Sequence, residues 1–285
     1  MNFQKVSLPS GLHFVGVPIG TARDITLRAL DVLASADVLA AEDTRSMRKL
    51  MDIHGVPMGG RQAYALHDHS SGGTIERLVA AMAEGKSVAY ASEAGMPLIA
   101  DPGFELGRAA GLAGHKVTCA PGPSAILTAL VLGGLPTDAF FFAGFLPNAT
   151  AARRKALENL SEIPGTLVFY ESPKRLAGML NDAADVLGAQ RQASVCREIT
   201  KKFEETRRGT LQELAEGYEG QSVKGEIVVL VDRNRSEKIT ESTLEVDVQQ
   251  ALSSHSLRDA VDLVAQAHDV PRRQVYQLAL ALTKD

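Results

Sequence analysis

Ser92-Glu93-Ala94-Gly95-Met96-Pro97-Leu98-Ile99-Ala100-Asp101-Pro102-Gly103, together with Pro121-Gly122-Pro123-Ser124, decides the fold of this 285-residue chain. Each segment follows a short apolar run, residues 87–91 and 116–119, that reads as a buried parallel strand. A turn beyond the carboxyl end of such a strand lies where an open α/β sheet collects ligands. Proline fixes φ and lacks a backbone donor, and glycine admits backbone shapes closed to other residues. Both segments therefore leave N–H and C=O groups unpaired within the chain and available to a polar small molecule.

Working outward, residues 12–17, 38–41 and 62–66 read as further strands of the same sheet, separated by amphipathic stretches. Residues 44–54 are one of these, with Met47, Leu50 and Met51 on one face, Thr44 as the expected N-cap and Gly55 just past the end. This alternation is the βαβ pattern of a parallel sheet covered by helices. From about residue 120 the pattern changes: residues 140–144, 166–170, 193–198, 204–209 and 227–231 form a second sheet. Hairpin-like spacing among the last of these strands predicts that it is mixed. A polar stretch, 232–247, then leads to a helical tail. The expected fold class is two α/β domains, residues 1–119 and 120–235, with a linker and small helical appendage over 236–285.

Composition narrows the function. A formal net charge of −4 argues against a protein that coats nucleic acid indiscriminately, while local basic clusters leave room for a folded RNA. Cys119 and Cys196 are the only cysteines; both fall in expected strands and read as core, which excludes a disulfide framework and a cysteine zinc site. No apolar run reaches the roughly 18 residues a membrane span needs, and the first residues lack a signal-peptide core, so a cytoplasmic protein with no membrane partner is expected. His67 and His69 share a face of an extended chain without an evident third ligand, so no metal is expected. Gly16-Val17-Pro18-Ile19-Gly20 lacks the dinucleotide fingerprint, and no Walker A lysine pattern occurs.

In the tail, Ser256-Leu257-Arg258-Asp259 is a capping box opening a helix through Ala267, and Pro271 opens a second with Val275, Leu278 and Leu282 on one face. With Arg258, Arg272 and Arg273 this pair reads either as a helix-turn-helix that touches RNA or as a packing or dimer appendage.

Several chemistry-bearing segments share placement at strand ends. In chain order they are Val15 to Gly20 with Asp24-Ile25-Thr26, Ala41-Glu42-Asp43-Thr44-Arg45, Leu66-His67-Asp68-His69, Ser92 to Gly103, Pro121 to Ala125, Gly144-Phe145-Leu146-Pro147, Phe169-Tyr170-Glu171-Ser172, Arg197 to Lys201 and Lys224-Gly225-Glu226. This series over roughly residues 11 to 231 resembles the tetrapyrrole methylase family, in its branch that methylates ribosomal RNA. The family loop commonly reads Ser-Asp-Ala-Gly-Thr-Pro, whereas Glu93 and Met96 stand here; Val17 and Thr21 replace a Thr and an Asn of its first loop.

The resemblance implies S-adenosyl-L-methionine (SAM) held between two α/β domains, with Pro18, Glu93, Met96, Ser124, Ala125, Tyr170 and Gly225 lining the cleft. It also implies 2′-O-methylation of a cytidine in the decoding centre of 16S rRNA within the small ribosomal subunit, and a homodimer. The alternatives are a tetrapyrrole (precorrin) C-methyltransferase and a non-catalytic SAM-binding ribosome-assembly factor. Methyl transfer to a hydroxyl requires in-line positioning and removal of its proton, for which Glu42, Asp43, His67, Glu171 and Lys201 are candidates. Arg45 and Arg48, Arg153 with Arg154 and Lys155, Lys174 and Arg175, and Lys201 with Lys202 are the candidate phosphate contacts.

Overall fold

The computed structural model describes residues 2–66, 72–99, 103–234, 241–268 and 270–282. His67, Asp68 and His69 lie outside them. The order of elements is β1 (Gly11–Val15), α1 (Leu27–Ser35), β2 (Val38–Ala41), α2 (Thr44–Ile53), β3 (Ala63–Ala65), α3 (Gly72–Ala83), β4 (Ser87–Ala91), α4 (Phe104–Leu112) and β5 (Val117–Ala120). A second series follows: α5 (Ala125–Gly133), β6 (Phe140–Phe145), α6 (Thr150–Leu160), β7 (Thr166–Glu171), α7 (Leu176–Leu187), β8 (Gln192–Arg197), β9 (Glu205–Thr210), α8 (Leu211–Tyr218) and β10 (Ile227–Val231). The chain ends in α9 (Glu241–Leu252), α10 (Leu257–His268) and α11 (Arg272–Leu282).

The first sheet is wholly parallel in the order β3-β2-β4-β1-β5. Its central strands are apolar runs buried on both faces, as parallel strands under helices must be. On one face α1 and α2 pack Leu30, Leu33, Met47 and Met51 against Val15, Leu39 and Ala89. On the other, Leu78, Met82, Leu106 and Ala110 cover Leu12, Phe14, Val88 and Tyr90. Burying each large apolar side chain of this kind contributes roughly 1.5–3 kcal/mol. The chain leaving β1 thus turns to one face and the chain leaving β4 to the other. Their loops part and open a crevice at the strands' carboxyl ends.

Local chemistry fixes the helix ends. The Thr26 hydroxyl accepts from Ala29 N–H to start α1, and the Arg61 guanidinium donates to the carbonyls of Leu33 and Ala36 at its other end. In α2 the cap is Asp43, whose carboxylate accepts from Arg45 N–H at 2.7 Å, and Thr44 is already helical, which corrects the expected Thr44 cap. The strand at 116–119 was expected to be buried; β5 is an edge strand whose residues are largely half-exposed, and Cys119 with it, while Cys196 is buried.

The second sheet has the order β6-β7-β10-β8-β9 and is mixed: β6 and β7 run parallel, and the other neighbours antiparallel. Helices α6, α7 and α8 cover one face and α5 the other. Arg153 on α6 and Asp182 on α7 form a nearly buried ion pair at 2.6 Å, and Arg154 reaches Asp182 and Asp185. Arg153 is thereby committed within the fold, which corrects its reading as a surface phosphate contact, while Arg154 stays partly exposed.

The chain divides into two compact units, residues 1–233 with both sheets and 234–285. The second unit is a helical cluster around Leu244, Val248, Val261, Val264 and Val275. Helix α9 begins inside the stretch read as polar linker, because its apolar stripe has only Leu244, Val248 and Ala251 at helical spacing. Ser256 Oγ accepts from Asp259 N–H as the capping-box reading expects. Among the described residues no helix is long and apolar enough to cross a membrane.

Candidate functional site

The loop after β1 and the loop after β4 are stitched together: Val17 N–H donates to Gly95 O at 2.9 Å, and Gly95 N–H to Val17 O at 3.2 Å. Gly95 has φ +74°, the left-handed region in which a side chain is strained, so this turn requires glycine. The loop after β5 closes on the same place. A Cβ on Gly16 would lie 2.7 Å from Gly122 N and 2.8 Å from Met96 Sδ, so the two loops meet backbone to backbone. Gly122 N–H donates to Met96 Sδ at 3.2 Å, which shows what the methionine does at its position: it caps the third loop. Glu42, at the end of β2, accepts from Glu93 N–H at 3.2 Å and steadies the β4 loop from the side.

The second sheet supplies the opposing wall. Tyr170 packs edge-on against Phe142 and tilted against Phe145, with ring centroids 4.9 and 5.6 Å away. Glu198 and Thr200 both have positive φ, and this turn carries Ile199 inward. Strain at non-glycine positions of this kind costs on the order of 1–3 kcal/mol and persists only where the surroundings impose it. Here the Thr200 hydroxyl accepts from Thr21 N–H, joining the two halves, and Lys201 binds Glu198 and Glu226 at 2.9 Å each. Burial lowers the affinity of the Lys201 amine for its proton, but the two carboxylates outweigh that and raise its pKa.

Between these walls lies a cavity of about 430 Å³. Met96, Ser124, Ala125, Tyr170 and Gly225, expected at the cofactor cleft, all line it. So does Glu171, read from sequence as a possible base. Its side chain is fully buried: Oε1 accepts from Ser172 N–H at 2.7 Å and meets Arg175 Nε at 3.2 Å, while Oε2 has no hydrogen-bond partner. Arg175 is turned inward, its guanidinium donating to Asn148 Oδ1 and to the carbonyls of Leu146 and Pro147. Sequence reasoning missed the apolar part of the wall, Ile19, Phe145, Ile199 and Val228, since buried aliphatics look alike until both halves are assembled.

Pro18 and Glu93 face instead a second cavity of about 250 Å³, against α2. Asp43 is committed to its cap and to Arg45, whose guanidinium hydrogen-bonds it and holds its pKa down at about 2. Lys174, Lys202, Arg45 and Arg48 are exposed. Among the described residues no group of His, Cys, Asp or Glu is placed to hold a metal ion.

The Tetrapyrrole (Corrin/Porphyrin) Methylases family model matches residues 11–215, and the RsmI C-terminal HTH domain model matches 244–283. The chain is 49% identical to a "Ribosomal RNA small subunit methyltransferase I" of Mesorhizobium japonicum over 79% of this chain and 76% of that protein. To the protein of the same title from Mycobacterium bovis it is 44% identical over 96% of each. In structure it is similar to a uroporphyrin-III C-methyltransferase from Thermus thermophilus complexed with S-adenyl homocysteine, with TM-score 0.53 and 18% identity over 77% of this chain and 96% of that one. The model match over residues 11–215 and these relatives show it: the chain belongs to the tetrapyrrole (corrin/porphyrin) methylases, and within them to the group of the ribosomal RNA small subunit methyltransferase I proteins.

Proposed function

We propose that this chain is a SAM-dependent ribosomal RNA methyltransferase that modifies the 2′-hydroxyl of a cytidine in the decoding centre of 16S rRNA. The observation that carries the reading is the cavity between the two sheets: its aliphatic and aromatic walls and one unsatisfied carboxylate oxygen fit a ligand with an apolar body and hydrogen-bond donors, as SAM is. The names of the relatives support ribosomal RNA as the substrate. Bound there, SAM supplies an electrophilic methyl group on a sulfonium.

The chain's own residues orient and enclose. Glu171 Oε2 accepts a donor of the cofactor, and Arg175 holds both Glu171 and the Leu146–Asn148 backbone in place. Gly95 and Gly225, both at positive φ, let the backbone approach the ligand. Two of the candidate bases are poorly suited to taking a proton: Asp43 is held far below the usual carboxylate range, and Lys201 stays charged between two carboxylates. Positioning of acceptor against donor can supply about 7–11 kcal/mol of the barrier.

Incubation of the protein with radiolabelled SAM and unmethylated small ribosomal subunits, followed by mass mapping of the RNA, tests the reading. Label at a cytidine ribose is expected. SAM bound without turnover would point to an assembly factor instead, and label on an added precorrin to a tetrapyrrole methylase.

Lys174→Ala and Arg175→Ala should separate in their effects, although the residues are adjacent. Loss of Arg175 unties Glu171 and weakens SAM affinity about tenfold or more in calorimetry, since leaving a buried polar group unpaired costs about 1–3 kcal/mol and a charged one more. Lys174→Ala leaves SAM affinity within about twofold and lowers the salt dependence of subunit binding by about one unit. Equal SAM affinity in both variants would remove Arg175 from the cleft's support.

A homodimer also belongs to the proposal. Leu127 and Val131, one turn apart on α5, are 56% and 81% exposed and form an apolar stripe beside neither sheet's core. Val131→Asp should shift the light-scattering mass from dimer to monomer; a wild-type protein already monomeric at micromolar concentration contradicts this.

A further inference from the structure

The second cavity is built on one face of α2. Ser46, Lys49, Leu50 and Ile53 line it at i, i+3, i+4 and i+7, Met47 lines its floor while packing on the sheet, and Met51 turns wholly to the sheet. The loops after β1 and β4 close the other side and form a wall shared with the cofactor cavity: Pro18 and Gly20 face the second cavity and Ile19 the first, as do Glu93 and Gly95 respectively. Ser92, which is 5% exposed, also lines the second cavity, and its Oγ has no hydrogen-bond partner. A buried hydroxyl without a partner calls for a ligand that provides one. Arg48 and Lys49 are exposed and form no ion pair among the described residues.

We propose that this cavity receives one unstacked ribonucleotide of the RNA substrate, its base against Leu50, Ile53 and Pro18, with Lys49 on a phosphate and Ser92 on a polar edge. The assignment rests on the methyltransferase reading above. At about 250 Å³ the cavity is smaller than the roughly 300–1,000 Å³ of a typical small-molecule pocket and suits a single nucleotide rather than a macrocycle. Proteins that read RNA by sequence splay single bases into such pockets and read their edges. The exposed Glu93 carboxylate on the rim accepts from an exocyclic amine, as acidic side chains do from cytosine N4, which favours cytosine over uracil.

The test uses the full chain. Steady-state methylation of unmethylated small ribosomal subunits is compared for wild type, Lys49→Glu and Leu50→Trp, the last filling the cavity. SAM affinity and thermal melting serve as controls of the fold. The KM for subunits should rise about tenfold in each variant, with SAM affinity within about twofold of wild type. In parallel, saturation-transfer signals from added cytidine 5′-monophosphate should be present with wild type, weaker for uridine 5′-monophosphate, and lost with Leu50→Trp. Unchanged KM in both variants, or a cytidine monophosphate signal that survives Leu50→Trp, overturns the assignment. If the wild type fails to methylate subunits, the methyltransferase reading fails, and the nucleotide-binding arm still decides what the cavity holds.

Discussion

Gly95→Val is expected to abolish measurable cofactor binding, a loss of at least about a hundredfold in calorimetric affinity. Gly95 stands at φ +74°, where a β-branched residue is a genuine outlier, and a Cβ there would lie 3.3 Å from Ile19 Cγ2 and 3.6 Å from Pro123 O. Relief of that strain requires the backbone to rotate, which breaks the paired hydrogen bonds to Val17 and displaces Ile19 and Met96, both in the cavity wall. The damage is local, so the variant should still melt cooperatively. A folded Gly95→Val protein with near wild-type SAM affinity would show that the cofactor binds elsewhere.

The second large effect is on stability. Asp182→Ala should lower it by about 3 kcal/mol, because the Arg153 guanidinium, only 9% exposed as a side chain, then keeps just the Asn148 carbonyl and the Thr150 hydroxyl as partners. For a chain of this size that corresponds to a fall of about 6–12 °C in melting temperature. Asp182 is absent from both cavity walls, so the folded variant should retain SAM affinity. A melting temperature within about a degree of wild type would mean that the Asn148 carbonyl, the Thr150 hydroxyl and solvent suffice for the Arg153 guanidinium.

The strands legible in the sequence were those in which local and global signals coincide. Residues 38–41, 87–91 and 227–231 are continuous apolar runs between turn signals, and β2, β4 and β10 occupy those positions. What the chain does not encode locally was harder to see. Nothing in Ile227–Val231 announces that it enters between β7 and β8, and nothing in Val117–Ala120 says that no strand follows on its outer side. The basic clusters misled for the same reason. Arg153 and Arg175 look solvated in sequence, yet their partners Asp182 and Asn148 are 29 and 27 residues away. At the site, glycine and proline turns marked the loops on which Met96, Ser124 and Gly225 stand, because special backbone leaves a compositional trace. The division of those loops between two cavities leaves none, since it depends on which way each residue of a shared wall points.

The strand order also dictates a sequence in time. All strands of the first sheet have been made once Ala120 leaves the ribosome, so that half can close on itself while synthesis continues at about 5–20 residues per second. The other half has no such freedom. Until Ile227–Val231 arrives, β6 with β7 and β8 with β9 are separate two-stranded pieces, a size of sheet that is marginally stable in water. That same strand and the residues just before it, Gly225 to Val228, complete the wall of the larger cavity. The nascent chain therefore completes this cavity late, more than a hundred residues after the first sheet, and a chain that stops short of β10 lacks part of its wall.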